Sequence, residues 1–253
     1  MKMYREWAEL YDLLYGAQGQ NRDIHFLTGL IKEYGGPVLE CACGTGRVMI
    51  PVAENGLAVH GIDTSRDMLR VLEKKLPDLH EDVRKRISYE MKDMRDFKLD
   101  SKFRTCFIAF NSLYHLQNDR EISDFFRCVN SNLEKGGVLI IDVFDFDPET
   151  PQGKFALQAK VKGSKGKTIS KYHKTVFGRN QINNCTFRIV VEGKVEKKEI
   201  QRHFRLHYLF HDQMWKLLEK EGFKILRVYG NYDSEPYHEG KQNEKMVFVA
   251  RKI

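Results

Sequence analysis

With 253 residues, 42% hydrophobic and 30% charged, and five cysteines without framework spacing, the chain can bury a sizeable core, which excludes disorder and a disulfide-stapled miniprotein. No apolar run approaches ~18 residues and the N-terminus lacks a signal-type stretch, so a reduced, cytoplasmic protein without a membrane span is expected. The net charge of +7 lies in residues 151–210, where 14 Lys and Arg face three acids, while the rest carries −4; a generally basic surface for nucleic acid is thereby argued against.

Residues 3–15 place Trp7, Leu10, Tyr11 and Leu14 near one face of a predicted helix, and Asp23–Tyr34 reads as a second helix ended by Gly35-Gly36-Pro37. From there strands and helices alternate. Val38–Cys41 reads as a strand, followed by a glycine turn and a helix to about Glu54. Leu57–Ile62 is the second strand, and Thr64 or Ser65 stands where it can cap a helix to about Lys75. Arg86–Met91 and Phe103–Phe110 are the third and fourth strands. Asp119–Leu133 is a helix stopped by Gly136-Gly137, and Val138–Phe144 is the fifth strand. Near-continuous apolar strands between helices predict an α/β fold, a doubly wound Rossmann-like sheet covered on both faces.

The pattern then changes. Thr168–Phe177, Ile182–Glu192 and Val195–Tyr208 are long β-prone stretches separated by Gly178-Arg179-Asn180 and Glu192-Gly193-Lys194. They predict a three-stranded antiparallel β insertion after the fifth strand. Helix His211–Glu221 and strands Phe223–Tyr229 and Met246–Arg251 bring the core sheet to seven strands.

The strongest local signal is Glu40-Cys41-Ala42-Cys43-Gly44-Thr45-Gly46, where the first strand hands over to a helix. Small residues there let the backbone pass close to a ligand, and the following helix start offers free N–H groups. The dinucleotide fingerprint G-x-G-x-x-G/A does not fit, because Met49 stands where its third glycine belongs. Cys41 and Cys43 form an incomplete ligand set that no Cys or His cluster completes, so no metal is expected.

The turn resembles the first motif of the class I S-adenosylmethionine-dependent methyltransferases, acidic-x-small-x-Gly-x-Gly. Three further matches follow: Gly61-Ile62-Asp63-Thr64-Ser65 after the second strand, Asp93-Met94 after the third, and Phe110-Asn111 after the fourth. All fall on the carboxyl edge of the expected sheet, where open α/β sheets bind ligands. The resemblance implies S-adenosyl-L-methionine as cofactor, with Glu40, Ala42, Gly44, Gly46, Thr64, Met68, Met94 and Phe110 around it. It implies that Asp63 accepts the ribose hydroxyls and Asp93 lies near the adenine amino group. A tyrosine of the first helix, Tyr4 among them, would lie beside the sulfonium, and Arg22 would hold the methionine carboxylate. Plainer readings remain beside these: Asp63 as a helix cap, Asp93 paired with Arg95, the tyrosines as a packing stripe, and Arg22 as a solvated arginine.

Shorter pieces resemble small-molecule N-methyltransferases such as amino-sugar N,N-dimethyltransferases: Tyr11-Asp12-Leu13, Asp93-Met94-Arg95-Asp96-Phe97, His115-Leu116 and Gly166-Lys167-Thr168-Ile169-Ser170. The expected organisation is then a helical lid and cofactor core over residues 1–150, an insertion serving as substrate cap over 151–210, and closing core elements over 211–253. Methyl transfer from a sulfonium is an in-line displacement, so positioning and an unprotonated nucleophile carry it. His115, just past the fourth strand, has the ordinary pKa of about 6.5 that suits a general base, with Tyr11 as a positioning group. The expected partner is a small-molecule methyl acceptor, with an amine nitrogen first and O- or carboxyl transfer open, as is a homodimer. The alternatives are a tRNA or rRNA methyltransferase, for which the base-methylase motifs Asn/Asp-Pro-Pro-aromatic and Pro-Cys are missing, and an inactive protein that only binds the cofactor.

Overall fold

A computed structural model describes residues 2–16, 21–146, 152–163, 166–193, 196–239 and 245–253. They form two compact units, residues 22–146 with 209–253, and residues 1–21 with 147–208. The chain enters through helix α1 (Lys2–Gly16), which belongs to the smaller unit.

The larger unit runs α2 (Arg22–Tyr34), β1 (Val38–Cys41), α3 (Met49–Glu54), β2 (Val59–Asp63), α4 (Arg66–Lys75), α5 (Glu81–Lys85), β3 (Ile87–Met91), β4 (Phe103–Ile108), α6 (Asp119–Asn132) and β5 (Leu133–Phe144). Helix α7 (His211–Lys220) and strands β10 (Phe223–Tyr229) and β11 (Lys245–Lys252) complete it. The strand order is β10-β11-β5-β4-β1-β2-β3. Strands β1 to β5 pair in parallel, and β11 lies antiparallel between β5 and β10. The expected seven-stranded, doubly wound sheet is therefore present. All four residues of β1 are buried, as a central strand covered on both faces requires. Winding reverses between β1 and β4, which marks the crevice at their carboxyl ends as the place for a ligand.

Two boundaries differ from expectation for local reasons. Helix α6, capped by Asn118 through Glu121 N at 3.0 Å, stops at Asn132, and β5 begins at Leu133 rather than Val138. Gly136-Gly137 sits in an irregularity of the β4–β5 pairing, with Gly136 at φ 73°, as a bulge uses glycine. Strand β4 ends at Ile108, short of Phe110, because Phe110 and Asn111 both turn left-handed.

Gly61 on β2 faces the glycine turn, and a Cβ there would stand 2.6 Å from Met49 Cε and 2.7 Å from Cys43 Sγ. Gly61→Ala is expected to cost about 1–3 kcal/mol of stability through overpacking. Urea titration would register it as a lower midpoint at constant slope, and an unchanged midpoint would mean that the turn has room to spare.

The smaller unit holds a sheet of four strands in the order β6 (Ala156–Lys162), β7 (Thr168–Phe177), β8 (Ile182–Glu192) and β9 (Lys197–His207), all antiparallel. The expected meander has three strands, and the structure adds Ala156–Lys162 at the edge. Most of that strand is exposed and it carries Lys160 and Lys162, an edge-protecting pattern that conceals it in the sequence. Helix α1 packs Trp7 and Leu14 onto Ile169, Ile189 and Ile200. The Trp7 ring lies 5.9 Å from Phe187 and 6.2 Å from Phe204, both tilted, an arrangement aromatic quadrupoles favour. Among the described residues, no helix is long and apolar enough to cross a membrane.

Candidate functional site

The glycine turn leaves β1 with three left-handed residues, Ala42 at φ 58°, Gly44 at 56° and Gly46 at 75°. A residue with a Cβ fits poorly at Gly46, where that atom would stand 2.5 Å from Leu72 Cδ1. Backbone bonds fix the turn: Cys43 N donates to Ile62 O at 3.1 Å, and Gly46 N to Cys43 O at 2.8 Å. The helix expected to open directly on the turn begins only at Met49. Cys41 and Cys43 are buried thiols, and Cys41 Sγ lies 3.8 Å from Cys106 Sγ on the neighbouring strand.

Asp63, at the end of β2, reaches across to this turn. Its Oδ2 accepts the Gly44 N–H at 2.8 Å and its Oδ1 the Ser65 N–H at 2.7 Å. Burial raises its pKa, and the backbone donors at Ser65, Gly44 and Thr64 oppose that. The cap of α4 is Ser65, whose hydroxyl accepts Met68 N at 3.3 Å; Thr64 is exposed. Met68 Cε lies 3.7 Å from where a Cβ on Gly44 would be. Glu40 is 3% exposed with Oε2 making no hydrogen bond. Its carboxyl pKa is pushed well up, first by burial and against the pull of Arg47. The structure thus gathers Glu40, Ala42, Gly44, Gly46, Asp63 and Met68 around one turn.

Other expected residues have partners of their own. Asp93 pairs with Arg95 at 2.7 Å, and Arg95 also reaches Glu121 at 3.0 Å. The Arg95 guanidinium holds the Asp93 carboxyl below its ordinary pKa. Met94 beside it is half-buried. Arg22 pairs with Asp233. Tyr11 packs on Tyr15 with ring centroids 4.4 Å apart, in α1 of the smaller unit. The Tyr4 side chain lies outside the described residues.

At the end of β4, Phe110 and Asn111 take φ 59° and 62°, which costs about 1–3 kcal/mol for each non-glycine residue. A 3-10 turn, Ser112–His115, follows. His115 is exposed as a residue, yet desolvation holds its imidazole pKa below the usual value; a recessed ring that still meets solvent reconciles the two. Neighbouring Tyr114 is fully buried, and its hydroxyl donates to Phe144 O at 3.3 Å and Leu209 O at 3.4 Å.

Several charged residues of this region escape the sequence motifs. Arg47, half-buried, pairs with buried Asp23 at 2.5 Å, and its guanidinium lies 4.7 Å from the Phe110 ring centroid. Asp142 and Lys245 form a buried pair at 3.3 Å. The available signal is charge in an apolar setting: Arg47 before Val48-Met49-Ile50, and Asp142 inside Val138–Phe144.

Residues 38–137 match the model of a family described as a methyltransferase domain. The chain is 26% identical to the putative methyltransferase YqeM of Bacillus subtilis, over 99% of this chain and 97% of that one. It is 30% identical to the dTDP-3-amino-3,6-dideoxy-alpha-D-glucopyranose N,N-dimethyltransferase of Streptomyces fradiae, over 56% of this chain and 54% of that one. Among solved structures, it is similar to the S-adenosylmethionine-bound amino pentose methyltransferase CalS10 of Micromonospora echinaspora. The TM-score is 0.77 at 18% identity, covering 96% of this chain and 97% of that one.

Proposed function

We propose that the chain methylates a small-molecule amine, an amino sugar in the first instance, using S-adenosylmethionine; residues 38–137 match a methyltransferase-domain model, and the fold is shared with solved methyltransferases. The donor reading rests on one observation above others, the bond from Gly44 N to Asp63 that joins the glycine turn to the end of β2. Left-handed glycines bring bare backbone to that point, while Glu40 Oε2 stands buried without a hydrogen-bond partner. Both features fit a ligand that carries a nucleoside and an ammonium group. When bound, the sulfonium donor supplies an electrophilic methyl group.

In this reading Asp63 accepts the ribose hydroxyls and Glu40 the donor's ammonium. Ala42, Gly44 and Gly46 give passage to the backbone, with Thr64, Met68, Met94 and Phe110 completing the contacts. Asp93 and Arg22 join them by exchanging Arg95 and Asp233 for the ligand. His115 takes the acceptor's proton, and its lowered pKa keeps it a neutral imidazole at pH 7, able to do so. The names of the amino-sugar relatives support nitrogen over oxygen as the nucleophile.

The test is transfer of a labelled methyl group to a panel of dTDP-linked 3-amino sugars, free amino sugars, amino acids, small amines and tRNA. Label is expected in the amino-sugar members, and label confined to tRNA sinks this reading. With the acceptor in hand, His115→Ala should bind the donor normally and transfer about 10²–10⁴-fold more slowly. The wild-type rate should fall only as pH drops below about 6.5, because protonation then removes the base. A variant that keeps the full rate at every pH removes His115 from the chemistry.

A further inference from the structure

Charged and polar side chains converge beneath the carboxyl end of β4, all within the larger unit. Asp142 on β5 is 1% exposed and serves the strand end twice. Its Oδ2 accepts the Phe110 N–H at 2.9 Å, and its backbone oxygen accepts the Asn111 N–H at 3.1 Å. Lys245, at the start of β11 and 3% exposed, holds its Nζ 3.3 Å from Asp142 Oδ1. The Tyr232 hydroxyl donates to the same carboxylate, 3.0 Å from each oxygen. The lysine also faces aromatic rings, 3.7 Å from the Phe144 centroid and 5.5 Å from that of Phe110. The Phe110 ring also meets Arg47, which Asp23 holds.

A carboxylate this far from water requires compensation. Here an ammonium, a phenol and a backbone N–H supply it. Burial lowers the pKa of Lys245 while Asp142 pulls it back up. Burial, and then the charge of Asp142, raises that of Tyr232, so the phenol remains a donor throughout the working pH range.

What these groups hold is a backbone conformation that L-residues resist. Phe110 cannot turn back to the extended region without breaking its bond to Asp142. Asn111 continues the chain of restraint: its Oδ1 accepts Phe144 N at 2.5 Å, and its backbone oxygen accepts Tyr114 N at 3.0 Å. The turn that ends in His115 is therefore built on the clamped pair.

We propose that Asp142 is a positioning residue for methyl transfer, with Lys245 and Tyr232 holding its carboxylate: together they clamp Phe110 and Asn111 left-handed and so fix where the His115 turn stands. The proposal rests on the role given to His115 above. Neither Lys245→Met nor Asp142→Ala alone is a clean test, since each leaves a buried partner uncompensated and can unfold the unit. Two double variants avoid this. Asp142→Leu/Lys245→Met removes both charges and the acceptor at near-constant volume, and Asp142→Asn/Lys245→Met removes the charges but leaves an amide oxygen for the Phe110 N–H.

Three quantities are measured in each: amide hydrogen exchange at Phe110 and Asn111 by NMR, affinity for S-adenosylhomocysteine by calorimetry, and kcat and KM with a dTDP-linked 3-amino sugar. In the Leu/Met variant, exchange at both amides should rise about tenfold or more above any change along the rest of β4 and β5. Affinity for S-adenosylhomocysteine should fall less than kcat does, because Phe110 is one of several donor contacts, and kcat should fall about tenfold to a hundredfold with little change in acceptor KM. The Asn/Met variant should recover most of the protection and most of kcat. Equal behaviour of the two variants, unchanged protection at Phe110, or exchange raised evenly along both strands overturns the proposal. A wild-type chain that binds S-adenosylhomocysteine but methylates no amine overturns the functional reading instead, and the exchange comparison still decides the clamp.

Discussion

Asp63→Ala is expected to weaken binding of S-adenosylhomocysteine by about a hundredfold or more. Two hydroxyl donors meeting one carboxylate make charge-assisted bonds worth about 1.5–3 kcal/mol each, and 1.4 kcal/mol is a factor of about ten in affinity. The substitution also removes the acceptor of Gly44 N and Ser65 N, so part of the effect passes through the shape of the turn. Asp63→Asn separates the two contributions. An amide oxygen still accepts one backbone N–H and preserves the turn, but it brings no charge to the hydroxyls. The expected order of affinity is wild type, then Asp63→Asn, then Asp63→Ala, with melting curves showing that all three remain folded. A folded Asp63→Ala protein with undiminished affinity ends the assignment of this turn to a nucleoside donor.

The effect is large because Asp63 stands at the meeting point of two strand ends. Parallel pairing sets Glu40 opposite Gly61 and Cys41 opposite Ile62, so the residue after each strand falls at the same edge. That is why residues as far apart in sequence as Glu40 and Asp63 stand by one turn, and why their proximity was legible beforehand. Strand ends, glycines and edge acids repeat in a pattern that local chain chemistry dictates. The alternation of strands and helices was legible for the same reason, and so was the capping of α4, for which Ser65 was one of two candidates.

What stayed hidden depends on tertiary neighbours. Strand β6 buries little and ends in Lys160-Val161-Lys162, so hydrophobic period does not mark it. The left-handed turn at Phe110 and Asn111 contains no glycine to announce it; it exists because Asp142, 32 residues further on, accepts the Phe110 amide. Likewise the partners of Arg47 and Lys245 are Asp23 and Asp142, and no local rule connects charges on different elements. Buried pairs of this kind are poor contributors to stability beside apolar packing, but losing one member is severe, which ties them to the geometry they hold.

Lys171→Met is expected to raise the melting temperature at pH 7, and the gain should shrink as the pH rises towards 10. Lys171 on β7 is 2% exposed, its Nζ 3.7 Å from the Tyr15 ring centroid and 4.9 Å from that of Phe187. Burial lowers its pKa to about 7, against about 10.4 in an unfolded chain. Between those two values the unfolded chain carries a proton that the folded chain has lost, so stability climbs with pH. Below pH 7 both states are protonated and the full penalty of the buried ammonium applies. A shift of this size corresponds to at most about 4–5 kcal/mol. The two ring faces offset part of it, each cation–π contact contributing about 0.5–2 kcal/mol, which leaves a net cost of about 0–4 kcal/mol, centred near 2.

Next to it, His173 stacks on Phe187 at 4.7 Å and is held to a pKa of about 4 by burial and by Lys171; its unfolded imidazole titrates near 6.5, so it adds a slope below about pH 7 in both proteins and none between pH 8.5 and 10. Methionine has nearly the volume of lysine and adapts to the same rings. Melting curves of both proteins at pH 6, 7, 8.5 and 10 decide the matter. The variant should melt about 4–8 °C higher at pH 6 and 7, as a net cost near 2 kcal/mol implies, with the two curves converging by pH 10. A variant less stable than wild type at pH 7 means that the ring faces outweigh desolvation; a gap that ignores pH means that Lys171 keeps its proton.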